Sequence, residues 1–317
     1  MRGLAPIVFA VWPTLALARH PPIAVAPYTV QAGDTCASIA KARYGDAGRY
    51  DIIHQFNPQL GPTLPHHHEP GDVLQLPKGI PSDAWVTEVV RTVEQRAASE
   101  ATWQPAVSGT PLSVGHRVTT RDQAAAELTF QDDSTVDLLE NTLLVVYGRR
   151  ADESQARPNR ARLERGTLRS RLAELRGEGL ALTAGTAEAE LSGSAALMSV
   201  DPEGLVCVSN HAGEQVAVAS AAAPTQKVAV PAGQGTRVPK GQPPEPPRPL
   251  PPPPTWSAGA ETALGGTGPE AVVDLAWAGP ADAGGWRLDV SRDGAPVASA
   301  ALPADRLGLR LTGLPAG

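Results

Sequence analysis

Between residues 105 and 240 the chain is cut into short runs by turn residues, roughly one turn every 8–12 positions, and that cadence belongs to all-β folds. Ala124 to Phe130 alternates apolar and polar side chains. Gln131-Asp132-Asp133-Ser134 then turns the chain, and Thr135 to Leu139 returns. Leu143 to Tyr147 continues the series, and Leu163 to Leu172 alternates around Gly166. Asp201-Pro202-Glu203-Gly204 forms a hairpin turn between Ala195–Val200 and Leu205–Ser209. Gln215 to Val218, Lys227 to Val230 and Gly235 to Val238 complete it. The pattern predicts an all-β sandwich, barrel or solenoid. Aromatic residues are only 4% of the chain, so its cores must be built from Leu, Val and Ala, which suits thin, strand-rich modules. The 317 residues leave room for two or three domains.

A different pattern occupies residues 28–78. Tyr28-Thr29-Val30-Gln31 is a short β-prone run broken by Ala32-Gly33. Asp34 or Thr35 can N-cap a helix beginning at Cys36. Cys36, Ile39, Ala40 and Arg43-Tyr44 fall at helical spacing, with Ile39 and Ala40 on the inner face, and Gly45-Asp46 ends that helix. Tyr50, Ile53, His54 and Phe56-Asn57 indicate a second short helix that stops before Pro58. The turn Pro70-Gly71-Asp72 leads into a strand, Val73-Leu74-Gln75-Leu76. Two strands alone are marginal, but two helices on one face make a core of about 50 residues viable.

This strand–helix–helix–strand order, with Gly33-Asp34-Thr35 and Pro70-Gly71-Asp72, resembles a LysM domain, a βααβ module that grips N-acetylglucosamine-containing glycans such as peptidoglycan. The resemblance implies a groove with Gly33, Asp34 and Thr35 on one wall and Asn57, Pro58, Gln59, Leu60 and Gly61 on the other. Backbone amides there would hydrogen-bond acetamido oxygens, and an apolar side chain would receive the methyl group. Pro62 to Glu69, with His66-His67-His68, departs from the shorter and more apolar segment usual in the family.

The middle of the chain resembles a FecR-type domain. The resemblance rests on Val114-Gly115-His116-Arg117-Val118-Thr119-Thr120, Ala126-Glu127-Leu128-Thr129-Phe130, Asp133-Ser134-Thr135-Val136 and Glu140-Asn141-Thr142-Leu143. Leu163-Glu164-Arg165-Gly166-Thr167-Leu168-Arg169 and Ala232-Gly233-Gln234-Gly235-Thr236 extend it. Leu191-Ser192-Gly193-Ser194 departs from the usual Val-Arg-Gly-Thr element. Familiar FecR proteins are membrane-spanning sigma-factor regulators with a cytoplasmic helical N-terminus. Here a signal peptide and a LysM-like segment stand in that place, so what the resemblance implies is an extracytoplasmic β module for contacts with an envelope protein.

Residues 1–18 read as a secretory signal, with Arg2, an apolar stretch from Leu4 to Leu17 and an Ala16-Leu17-Ala18 cleavage signature. No later stretch approaches the roughly 20 apolar residues of a membrane span. The expected location is therefore periplasmic or secreted. Nine of the fifteen residues 241–255 are proline and predict a stiff linker of about 3.1 Å per residue. Beyond it, Val272 to Trp277, Trp286 to Val290 and Arg306 to Leu311 read as strands that resemble the start of a fibronectin type III-like sandwich. With only these strands the last domain, 256–317, is expected to be a partial β-sandwich, and the sequence reads there either as a fragment or as a poorly ordered tail.

Few residue sets suggest chemistry. Cys36 and Cys207 lie in separate predicted domains, so each is expected to act as a small buried apolar residue rather than in a bridge. His66-His67-His68-Glu69 is a dense set of ligand types, but structural zinc sites take spaced ligands from two elements, and a solvated loop is the expectation. From Arg149 to Arg176 nine arginines stand against four carboxylates, a local charge of +5. That run fits either a basic face for anionic envelope polymer or a solvated strand face. Asp132-Asp133 sit in a turn, where Asp is favoured. No nucleophile, zinc-protease or phosphate-loop motif is present. The net charge of −6 does not suggest nucleic acid. The sequence thus predicts a non-catalytic, multidomain envelope protein that needs no metal or cofactor. Its expected ligand is peptidoglycan or another N-acetylglucosamine-containing glycan, and its alternatives are a FecR-like periplasmic signalling regulator or the binding part of a longer wall-remodelling enzyme.

Overall fold

The computed structural model describes residues 22–60, 69–131, 133–147, 159–171, 180–252, 254–257, 270–280, 285–292 and 295–315. The segment read as a signal, the His66–His68 loop and Gly61 lie outside the described residues, as do Asp132 and parts of the arginine run.

The first unit is built from β1 (Val25–Thr29), α1 (Cys36–Tyr44), α2 (Tyr50–Phe56) and β2 (Val73–Pro77). The two strands are antiparallel, with Val25 opposite Pro77 and Thr29 opposite Val73. The first strand begins three residues earlier than the Tyr28–Gln31 run suggests, because Pro27 is tolerated at the edge of a two-stranded ribbon. Gly45 ends α1 in the left-handed region, φ 80°, and its N–H bonds back to the Lys41 carbonyl. Val30, Cys36, Ile39, Ala40, Ile53, Leu74 and Leu76 form the core, with Tyr28, Tyr44, Tyr50 and Leu60 packed around it.

The second unit is entirely β. Its strands are β3 (Ala84–Val90), β4 (Val93–Arg96), β5 (Gln104–Pro105), β6 (Pro111–Leu112), β7 (Arg117–Thr120), β8 (Ala125–Phe130), β9 (Thr135–Leu138) and β10 (Leu143–Val146). They are followed by β11 (Asn159–Arg171), β12 (Leu180–Ala184), β13 (Ala187–Leu191), β14 (Ser194–Val200) and β15 (Val206–Gly213). β16 (Val216–Ser220), β17 (Ala223–Val230), β18 (Gln234–Val238) and β19 (Arg248–Pro249) finish the unit. Pairing sorts these strands into two layers. One runs β6-β3-β8-β9-β11-β14-β15-β18-β19. The other runs β5-β4-β7-β10-β11-β12-β13-β16-β17.

β11 belongs to both layers. Its residues 159–165 pair in the second layer and its residues 166–171 in the first. The crossing falls at Gly166, whose φ is +89°. A single core lies between the layers, with Val118, Leu128, Phe130, Leu144, Leu163, Leu168, Leu182, Met198, Val208 and Val218 among its members. The inward residues alternate as the sequence pattern requires: Ala196, Met198 and Val200 of β14 point into the core, while the residues between them are half-exposed.

Three features differ from the sequence expectation. Residues 84–112 supply four strands to this unit, and Ala84, Val86, Val93 and Leu112 join its core. The proline segment does not stand clear of the sheet in its first half. Glu245 N–H bonds to the Arg237 carbonyl, Leu250 N–H bonds to that of Gly233, and Gly235 pairs with Arg248. Proline is allowed there because this is a sheet edge, where a missing donor costs nothing to a neighbour. The first two units also touch: the Gln55 side chain of α2 donates to Gln131 at the β8–β9 turn, and Gln131 donates to the Ser82 carbonyl at 2.6 Å.

The C-terminal strands are β20 (Thr255–Trp256), β21 (Glu270–Ala278), β22 (Gly285–Arg292), β23 (Ala295–Pro303) and β24 (Gly308–Pro315). They pair as β20-β21-β24 and as a β22–β23 hairpin. Trp277 stands edge-on to both Trp256 and Trp286, at ring distances of 6.0 and 6.4 Å. β23 runs beside β3 and β8.

Candidate functional site

The residues expected to line a glycan groove fall in two loops of the first unit, and most of their polar atoms are already engaged. The Asp34 carboxylate accepts from the Tyr28 hydroxyl and from the Gln31 N–H, both at 2.7 Å. That hydrogen bond, with some burial and the Asp34 charge, pushes the Tyr28 phenol above its ordinary value. Thr35 Oγ1 accepts the Ser38 N–H at 3.0 Å, while Ser38 Oγ accepts the Thr35 N–H at 2.9 Å, a reciprocal capping box on α1. Of the two candidate caps, Thr35 therefore holds the helix and Asp34 holds the turn before it. Gly33, at φ +86°, forms that turn and is exposed together with Gln31 and Ala32.

Asn57 lies on the other side and is fully buried. Its Nδ2 donates to the carbonyls of Ile53 and Gln75, each at 2.8 Å, and its Oδ1 accepts the Gln75 N–H at 2.7 Å. Gln59 Nε2 adds a fourth bond at 3.2 Å. The Asn57 side chain thus ties the end of α2 to β2 and faces inward. What this loop presents outward comes from exposed Pro58 and Gln59 and half-buried Leu60. Among the described residues no hydrogen bond joins 33–35 to 57–60. The sequence signal that could have separated Asn57 from its neighbours is its place directly after α2, a C-cap position.

On the β unit, the outward side of β3, β8, β9 and β11 carries a buried polar strip. Thr87 Oγ1 donates to Glu127 Oε1 at 2.9 Å and lies 3.0 Å from Thr129 Oγ1. Glu127 faces Asp137 across the β8–β9 pair, and Arg169 Nη2 meets the fully buried Asp137 at 2.9 Å. β23 passes over this part of the layer, which accounts for polar side chains buried on an outward face. Both cysteines are free thiols; burial pushes Cys36 up to about 11 and moves Cys207 in the same direction. Among the described residues no group of His, Cys, Asp and Glu is placed to hold a metal, and no helix is long and apolar enough to cross a membrane.

Residues 116–213 match the family model described as FecR protein. The match runs from the start of β7 to the end of β15, so a FecR-type domain occupies the middle of the two-layer stack, including the β11 crossing. No curated protein matches the chain. Two crystal structures of a candidate anti-sigma factor from Parabacteroides distasonis ATCC 8503, at 1.65 and 2.50 Å resolution, are similar to it at 16% identity. Their TM-scores are 0.31 and 0.32, and each alignment covers 39% of this chain and 54% of the other. The chain therefore spans about half the length of those structures.

Proposed function

We propose that this protein is a non-catalytic, FecR-type regulator of the cell envelope, acting outside the cytoplasm through contacts with another envelope protein. The observation that carries the reading is the FecR match over residues 116–213, which falls on one continuous core rather than on a loose set of strands. A rigid two-layer stack offers a fixed surface for a partner, and no step of the reading needs catalysis. The test is genetic. Deletion of the gene in its source organism should shift a defined set of transcripts under envelope stress, and complementation should restore them. An unchanged transcript profile defeats the regulator reading.

The N-terminal unit favours a second role beside the first, an anchor on N-acetylglucosamine-containing glycan such as peptidoglycan. It is supported by the β1-α1-α2-β2 order closed around its own core, with exposed loops at Gln31–Gly33 and Pro58–Gln59. Sedimentation with insoluble peptidoglycan tests it. Wild-type protein should co-sediment, and Ala32→Trp and Gln59→Trp, both at exposed positions, should not. Folded protein that stays in the supernatant removes the anchor and leaves the regulator reading untouched.

A further inference from the structure

The arginine-rich run singled out in the sequence is divided by the fold into paired and unpaired residues. Arg169 meets Asp137 at 2.9 Å, and Arg160 lies 3.9 Å from Glu188. Arg162 and Arg165 make no hydrogen bond or ion pair among the described residues, and both are exposed. Both stand in the β10–β11 ladder, where Val145 faces Arg162 and Leu143 faces Arg165. Neighbours of Arg162 on its own strand, Ala161 and Leu163, belong to the core, so Arg162 points outward.

The other side of β10 brings in residues far away in sequence. Val145 faces Arg117 of β7, and Arg117 faces Arg96 of β4. Arg117 has no hydrogen-bond or ion-pair partner among the described residues either, while Arg96 stacks 5.0 Å from the Trp103 ring and reaches the Ala101 carbonyl at 3.4 Å. Arg96, Arg117, Val145, Arg162 and Thr183 thus form one row across five strands, with Arg165 three residues further along β11, opposite Leu143. Strands stand about 4.8 Å apart, so Arg117 and Arg162 leave the sheet about 10 Å from each other, a gap that two extended arginine side chains can close. Like charges directly opposite one another, as at Arg96 and Arg117, repel and disfavour the sheet unless an anion lies between them.

We propose that this outer face of the second layer, centred on Arg117, Arg162 and Arg165, is a binding site for phosphate groups. Guanidinium forks match phosphate oxygens in pairs, and the charged groups of a polyphosphate follow one another more closely along the chain than the carboxylates of a polypeptide do. Three uncompensated arginines around one short strand suit a dense anion better than a string of single carboxylates. The phosphate can belong to a soluble polyphosphate or to a lipid headgroup, and the chemistry at the arginines is the same for both.

Labelled inorganic polyphosphate is the probe, titrated into the full chain and followed by fluorescence anisotropy at low and raised salt. Vesicles of phosphatidylcholine with and without phosphatidylglycerol, and polyglutamate, are tested alongside. Wild-type protein should bind polyphosphate, more weakly as salt rises. The triple variant Arg117→Gln/Arg162→Gln/Arg165→Gln should lose at least about tenfold in affinity, since each arginine supplies a charge-assisted contact. Arg43→Gln/Arg237→Gln, which removes two exposed arginines elsewhere, should bind close to wild type. Vesicle binding that tracks the same variants identifies a lipid headgroup as the source, and binding of polyphosphate alone identifies a soluble one. Absence of binding, equal loss in both variants, or polyglutamate bound as tightly as polyphosphate overturns the proposal. Circular dichroism of each variant separates loss of binding from loss of fold.

Discussion

The Thr142 hydroxyl is clamped to the backbone of Thr167: it accepts the Thr167 N–H at 3.0 Å and donates to the Thr167 carbonyl at 2.9 Å. This clamp fixes the place where β11 leaves one layer and enters the other. Gly166 makes it possible. A Cβ on Gly166 would stand 2.5 Å from Thr142 Oγ1 and 2.6 Å from its Cα, and the residue's φ of +89° is a conformation that other residues rarely adopt. Gly166→Ala should therefore destabilise the β unit by about 2–5 kcal/mol, combining backbone strain with overpacking. Thr142→Val, which keeps the volume and removes both hydrogen bonds, should cost about 1–3 kcal/mol. Urea denaturation followed by tryptophan fluorescence checks both. A Gly166→Ala protein as stable as wild type would show that the crossing tolerates a side chain.

The Asp137–Arg169 pair should behave as a half-buried ion pair. Asp137 is fully buried and Arg169 keeps 29% of its side chain exposed. Arg169→Gln removes the cation beside a buried carboxylate that also faces Glu127, and should cost about 2–4 kcal/mol, somewhat below the loss for a fully buried pair because water still reaches the arginine. Asp137→Asn should cost less, since the Arg169 guanidinium it leaves is still reached by water and Asn can still accept a hydrogen bond from it. If the two single variants and the double variant are strictly additive in denaturant melts, the pair contributes no coupling.

Asn57 should be worth more to stability than to ligand binding. Its three bonds to Ile53 and Gln75 are made in a buried position, so Asn57→Ala leaves backbone groups unpaired and opens a cavity. The expected loss is about 2–4 kcal/mol for the first unit. Hydrogen exchange read at the Gln75 amide checks it. Protection at that amide equal to wild type would mean that the Asn57 side chain is replaceable.

Much of this architecture is legible in the sequence where local signals and tertiary context agree. Thr35 followed by Ser38, and Gly45 after a helical run, mark the ends of α1 whatever surrounds them. From Ala126 to Phe130 and from Thr135 to Leu138 apolar and polar residues alternate on either side of a turn, and the FecR-type signatures there lie inside the region of the family match. β12 and β13 are not legible: Leu-Ala-Leu-Thr-Ala and Ala-Glu-Ala-Glu-Leu are good helix compositions, and only pairing with β11 and β16 makes them strands. β3 escapes a local reading because its partner β8 lies some forty residues on, a distance that no local pattern reveals. For the expected glycan residues, the motif gives positions but not side-chain directions, and Asn57 shows that a loop residue's carboxamide can be consumed by its own module. The arginine row is invisible for the same reason, since Arg96 and Arg117 meet Arg162 only through strand register.

The Cys36 thiol supplies a prediction whose sign is set by its burial. Cys36 begins α1 and sits in the core of the first unit with 7% of its surface exposed. Desolvation pushes its pKa from 9.0 up to about 11 and outweighs an opposing backbone hydrogen bond. The native state therefore holds the proton to higher pH than the unfolded state. Its contribution is complete below pH 9 and is lost as pH rises from 9 through about 11, an effect of order 2 kcal/mol on this unit. Comparing wild type with Cys36→Val at pH 8 and pH 11 isolates it, because tyrosines and lysines that titrate nearby are common to both proteins. The difference in stability between the two should move against wild type as pH rises. At pH 8 the thiol should also resist iodoacetamide in native protein and react in urea, since the thiolate is the nucleophile and burial withholds it. Equal alkylation rates in the two conditions would place Cys36 at the surface and remove the basis for the pH effect.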